Sequence, residues 1–128
     1  MLDTKVVRHI MQGRDAALLA RLTQVSVGRV VISSVTLAEL QYGMPRKGQP
    51  PRVKAAMTKV LLRMDVLAWD EAVARCYSAF CRSLEARGIN LRDLDMMIAA
   101  RAVAVYATLV NRDKAFAQLA ASLKLEVW

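Results

Sequence analysis

The chain is poor in aromatic side chains, with two Trp, three Tyr and two Phe in 128 residues. A core of stacked rings is therefore excluded. The 55% of apolar residues must fill the interior with Ala, Leu, Val and Met, which points to an aliphatic, helix-rich core. A single histidine, His9, leaves a catalytic triad without partners, and a surface helix position suits it better. Two cysteines, Cys76 and Cys81, lie about 140° apart around a predicted helix and cannot bridge each other. No CxxC or CxxH spacing offers a zinc site, so both read as buried, reduced thiols. No apolar run is long enough to cross a bilayer: the most apolar stretch, residues 96–110, is interrupted by Arg101. The opening Met1-Leu2-Asp3 carries no signal core. These absences lead to the expectation of a soluble, cytoplasmic protein without a membrane partner.

What is present begins with charge. Nineteen Lys and Arg stand against eleven Asp and Glu, a formal +8. Such an excess suits a polyanionic partner, nucleic acid or an acidic protein, and a merely basic solvated face is the alternative. The length allows one domain over residues 1–128 with one core, and the apolar content offsets chain entropy well enough to exclude a disordered chain.

Short β-branched runs alternate with helical periodicity. Met1-Leu2-Asp3 reads as the end of a short buried strand, followed by a helix with Val6, Val7, Ile10 and Met11 that stops at Gly13. Asp15 caps a second helix. Residues 29–32 form a strand, and Thr36-Leu37-Ala38-Glu39 has the form of a capping box opening a helix towards Gly43. Pro45, Gly48, Pro50 and Pro51 break the chain before a helix over 52–63. A strand over 66–69 leads to Asp70, which caps a long helix ending at Gly88. A helix over 91–106, a strand over 108–110, a loop with a short helix over 111–119 and an edge strand over 125–128 complete the pattern. The alternation predicts a three-layer α/β fold, a short parallel central sheet flanked by helices.

Few acids fall where strands hand over to helices. Asp3 ends the first strand, Glu39 lies in the helix after the second, Asp95 opens a helix, and Asp113 follows the strand over 108–110. In a parallel sheet the carboxyl ends of the strands line a crevice, so residues distant in sequence can meet there. Converging carboxylates repel unless a cation joins them. Mg²⁺ or Mn²⁺ with oxygen ligands is the natural resolution, and in a basic protein the substrate that needs such an ion is a phosphodiester. Each acid also has a plainer role: Glu39 as a capping-box partner, Asp93 and Asp95 as helix-start charges, Asp113 as a turn former.

The same segments carry a resemblance. Met1-Leu2-Asp3-Thr4, the run from Ile32 to Gly43 (ISSVTLAELQYG), Leu94-Asp95-Met96-Met97-Ile98-Ala99-Ala100 and Thr108-Leu109-Val110-Asn111-Arg112-Asp113 with Phe116 resemble the four signatures of PIN-domain toxins of the VapC type, in order and in register. The tail from Leu123 to Trp128 is similar too. The resemblance implies a Mg²⁺-dependent endoribonuclease, the toxin of a toxin–antitoxin pair, with transfer RNA a frequent target among relatives. It also implies a homodimer held inactive by a cognate antitoxin. Carried over by position, Asp3, Glu39, Asp95 and Asp113 match the family's acidic quartet, as metal ligands and catalytic groups.

Three positions depart from the pattern: Lys5 where Asn is typical, Asn111 where Thr or Ser is usual, and Arg101 where His is frequent. An ammonium two residues from Asp3 competes with a metal for the acids, so the alternative function is an attenuated or non-catalytic module that binds RNA or antitoxin without cleaving. Arg46, Lys47, Arg52, Lys54, Lys59 and Arg63 form a basic stretch for RNA phosphates, an antitoxin tail or plain solvent. Arg82, Arg87, Arg92, Arg101 and Arg112 surround the acids in sequence. Arg112 and Arg92 are the residues expected to hold the RNA backbone, and Trp69 and Trp128 are expected to pack rather than stack on bases.

Overall fold

The structure is a computed structural model and describes residues 1–44 and 51–128. Along the chain run α1 (Thr4–Gln12), α2 (Ala16–Gln24), β1 (Val31–Ser33), α3 (Ser34–Tyr42), α4 (Pro51–Leu61), β2 (Asp65–Leu67), α5 (Glu71–Glu85), α6 (Asp93–Ala104), β3 (Leu109–Asn111), a 3₁₀ helix (Lys114–Leu119) and β4 (Leu125–Val127).

All strand pairings are parallel. β1 pairs with β2 in the register Ile32 to Val66, and β3 with β4 in the register Val110 to Glu126. The opening segment joins the two halves: Leu2 forms a parallel bridge with Val110, and its N–H donates to the Val31 carbonyl at 2.9 Å. The order across the sheet is therefore β2, β1, residues 1–3, β3, β4. Alternate side chains serve opposite faces. Leu2, Ile32 and Val110 are buried with Val6, Val7, Leu18, Leu22 and Met57 from α1, α2 and α4. Met1 and Leu109 are buried on the other side with Phe80, Leu84, Ile98 and Ala99 from α5 and α6. Two apolar layers thus sandwich a short sheet, the three-layer arrangement that the alternation predicts.

The helix starts explain themselves chemically. Asp15 and Asp70 accept the N–H groups of Leu18 and Val73 at 2.9 and 3.0 Å and cap α2 and α5, and left-handed Gly13 (φ 66°) stops α1. One expected cap is corrected. Thr36 does not open α3: Ser33 does, its Oγ accepting from the Val35 N–H at 3.1 Å. β1 runs directly into α3, so the last strand residue serves as the cap, while Thr36 is fully buried inside the helix with its hydroxyl unpartnered among the described residues. Glu39 is thereby released from any capping role. α6 is shorter than the apolar pattern suggests and starts at Asp93. The thiols of Cys76 and Cys81 are free and half-buried rather than buried, because both lie towards the edges of the face that α5 packs on α6. Trp69 packs: its indole N–H donates to the Met97 carbonyl and its ring meets Tyr77 edge-on at 5.6 Å. No described helix is long and apolar enough to cross a membrane.

Candidate active site

The parallel sheet sends the carboxyl ends of residues 1–3, β1 and β3 to one edge. Asp3 stands at the first of these ends, 2% exposed, and doubles as the N-cap of α1, its Oδ1 accepting the Val6 N–H at 2.7 Å. Glu39 lies in the second turn of α3, which leaves directly from β1. Asp113 follows β3 and caps the 3₁₀ helix by accepting the Ala115 N–H at 3.0 Å. Asp95, 7% exposed, occupies the first turn of α6. Asp3, Glu39, Asp95 and Asp113 line one cavity of ≈ 260 Å³, as the strand-end argument requires. Buried Ile98 and Phe116 form its apolar floor.

Each carboxylate is also held by a local donor. The Thr4 hydroxyl donates to Glu39 Oε2 at 2.5 Å, and Arg92 Nε to Asp95 Oδ2 at 2.7 Å. Among the described residues no three His, Cys, Asp or Glu side chains stand so as to share one ion. The convergence is observed; a closed ligand cage is not. Two of the four restraints are side-chain contacts that a rotamer change releases, and Arg92 is 78% exposed, so its pair with Asp95 is worth at most about 1 kcal/mol.

The electrostatics favour a cation. Burial pushes the Asp3 carboxyl up to about 6, against the pull of the Val6 and Arg112 N–H groups, and the Asp113 and Asp95 carboxylates push in the same direction as burial. The donor set is all hard oxygen, the kind that suits Mg²⁺ or Mn²⁺. Around the acids stand three cations, Lys5, Arg8 and Arg92. Arg8 is anchored by donating to the Glu39 main-chain carbonyl at 3.3 Å.

Thr4 and Arg8 are the site residues that sequence reasoning missed. Their signal was present: they are four apart on the helix that Asp3 caps, hence on one face beside it. Arg92 lines the cavity and pairs with Asp95. Arg112 does not line it; its guanidinium bonds Asp15 at 2.7 Å and the main-chain oxygen of Trp128, so its charge is already engaged inside the fold. Arg87 donates to Ser122, and Arg101 is buried in α6 with its Nε unpartnered among the described residues. Asn111 is buried in β3, and His9 is half-buried on α1. Neither lines the acidic cavity. Trp128 packs under Arg21, 5.4 Å away. Asp93 is exposed, a helix-start charge. Arg46 and Lys47 of the basic stretch lie outside the described residues.

A short parallel sheet between helical layers, with acids from four separate segments gathered at its carboxyl edge, defines a PIN-type architecture. The chain belongs to the PIN-domain family, whose model matches residues 1–122. It is similar to Ribonuclease VapC2 of Haemophilus influenzae, 29% identical over the whole chain and 96% of that protein. It is also similar to the tRNA(fMet)-specific endonuclease VapC of Shigella flexneri, 30% identical over the whole chain and 96% of the relative. Among solved structures, VapBC2 from Rickettsia felis bound to a DNA fragment from its promoter matches with a TM-score of 0.89 at 26% identity, covering 100% of this chain and 97% of that one.

Proposed function

We propose that this protein is a divalent-metal-dependent endoribonuclease, the toxin of a toxin–antitoxin pair, working from the cavity lined by Asp3, Glu39, Asp95 and Asp113. The nuclease reading is supported by PIN-family membership and by relatives named as ribonucleases across their whole length. An antitoxin as partner follows from the likeness to VapC-type proteins and to a solved VapBC assembly. The single observation that carries the metal-dependent reading is the meeting of these carboxylates, from the N-cap of α1, from α3 and α6, and from the turn after β3, in one small cavity.

Asp3 and Asp95, the two most buried acids, would hold the ion, with Glu39 and Asp113 of the same cavity as its further oxygen donors. The chemistry such an ion supplies is polarisation of a phosphoryl oxygen and a lower pKa for an attacking water. The chain's own groups do the rest. Glu39, whose Oε2 accepts the Thr4 hydroxyl, would take the proton of the nucleophile. Arg8 and Arg92 neutralise the phosphodiester as it approaches four negative side chains. Ile98 and Phe116 keep bulk water from the inner wall. The homodimer is proposed on the resemblance alone, with sedimentation of the purified chain as its test.

The experiment is cleavage of RNA with Mg²⁺ or Mn²⁺, with and without chelator, by the parent and by Asp95→Asn. Chelator-sensitive cleavage, reduced at least about 100-fold in a variant of unchanged circular dichroism, is the expected result. Cleavage that survives both chelator and Asp95→Asn would overturn the assignment.

A further inference from the structure

Arg92 stands where a helix normally begins with another kind of residue. It is the N-cap of α6, its backbone still extended (φ −64°, ψ 148°), and its side chain caps nothing. Ser, Thr, Asp or Asn would satisfy an open N–H there, and the positive end of the helix dipole disfavours a cation. What holds the guanidinium is the buried Asp95 carboxylate, Nε to Oδ2 at 2.7 Å, with Asp113 and Glu39 as further negative neighbours. A residue that weakens its own helix start and lines the acidic cavity has a reason that lies in the site.

The two partners of the pair differ sharply in their surroundings. The Asp95 side chain is 10% exposed, that of Arg92 78%, so the pair is weak enough to open. The contact runs through Nε, and the same rigid fork carries two more nitrogens. A divalent ion on Asp95 takes over the charge that Arg92 neutralises and repels the guanidinium across a short gap. Released at the rim of the cavity, the fork meets the anion that lies over the acids. In the reading above that anion is a phosphodiester, whose two non-bridging oxygens match a guanidinium fork.

We propose that Arg92 is a relay between ion and RNA, held by Asp95 without an ion and handed to a substrate phosphate once an ion occupies Asp95. The inference rests on the nuclease reading above and adds that ion and RNA bind with positive coupling through this residue.

The test is binding of a fluorescein-labelled single-stranded oligoribonucleotide of about ten nucleotides to the full chain, read by anisotropy across a salt series. It is run in chelator and in saturating Ca²⁺, an oxygen-liganded stand-in for Mg²⁺, with the RNA checked to be intact afterwards. The quantity read is the change that Arg92→Gln makes to the slope of log affinity against log salt. In chelator it should stay below about 0.2, and in Ca²⁺ it should reach about 0.7, the value for one phosphate contact on a single strand. Asp95→Asn, which frees the guanidinium without an ion, should raise the effect of Arg92→Gln to about 0.7 even in chelator. An effect of the same size in every condition, or none in any, overturns the relay and leaves the nuclease reading standing, since cleavage is measured separately. An effect that appears with Ca²⁺ but not with Asp95→Asn also overturns it, because the ion would then recruit RNA without releasing Arg92. Parent protein that binds RNA neither with nor without the ion removes both readings.

Discussion

Arg92 Nε lies 2.7 Å from Asp95 Oδ2, an ion pair between the residue before α6 and the third residue within it. The pair sets a cation of the chain itself on a carboxylate assigned to the metal. Lys5 lines the same cavity from α1. Both charges must be displaced or outcompeted when a divalent ion enters. Arg92→Gln and Lys5→Asn should therefore each tighten Mn²⁺ binding, read by titration calorimetry, by about two- to fivefold, the range of an exposed pair. Equal Mn²⁺ affinity in parent and variants would remove the idea that these cations attenuate the site, and with it the motive for the non-cleaving alternative.

The Thr4 hydroxyl donates to Glu39, the proposed proton acceptor. Removing its hydroxyl in Thr4→Val leaves Glu39 Oε2 without its donor and its orientation unfixed. A hydrogen bond to a charged group is worth about 1.5–3 kcal/mol, so kcat should fall by about 10- to 100-fold. Because the proposal gives Glu39 a proton to take and not the substrate to bind, KM should hold. Rescue by Thr4→Ser separates the hydroxyl's role from packing. A kcat unchanged in Thr4→Val would show that Glu39 needs no such partner.

Phe116 joins the site to the core, since its ring is 1% exposed yet forms part of the cavity floor. Phe116→Ala should cost about 3–5 kcal/mol of stability, measured by urea unfolding. The loss of the floor should disable the acids above it as well. A loss below about 1 kcal/mol would mean that the surrounding side chains close the gap, against the close packing inferred at this position.

Asp15 ties α2 to the segment after β3. The Leu18 N–H, and after it the Arg112 guanidinium, hold its carboxyl below the usual 3.8. A carboxyl whose pKa is lower folded than unfolded stabilises the fold above the unfolded value, and that contribution disappears as pH falls through the folded one. The difference in melting temperature between parent and Asp15→Ala should thus be full at pH 6 and shrink steadily below about 3.8. A gap that stays constant down to the acid limit would assign the effect to helix propensity rather than to charge.

Much of the fold was legible because its signals are local. The alternation of β-branched runs with helical periodicity identified every element that the described residues contain, to within a few residues at the ends. The helix-opening roles of Asp15 and Asp70 could be read from one residue and its followers. The misplaced start of α3 has the same origin: Thr36 and Glu39 satisfy the spacing of a capping box, but a cap forms only where the chain leaves extended geometry. The sheet, not the spacing, puts that point at Ser33. Arg112 shows the limit from the other side. Its place next to Asp113 suggested the RNA backbone, yet neighbours in sequence on an extended segment point to opposite faces. Its guanidinium turns to Asp15.

The sequence alone determined the class of the protein, since aliphatic periodicity dictates a helix–sheet sandwich and the motifs around Asp3, Glu39, Asp95 and Asp113 occur in family order. Only the tertiary structure decided that Leu2 bridges the two halves of the sheet, and this bridge brings Asp3 level with the ends of β1 and β3. It alone showed which cations share the acidic cavity. The reason is physical: capping and periodicity act over a few residues, whereas the distance between Lys5 and Glu39 is set by how layers pack. No short stretch of chain encodes that.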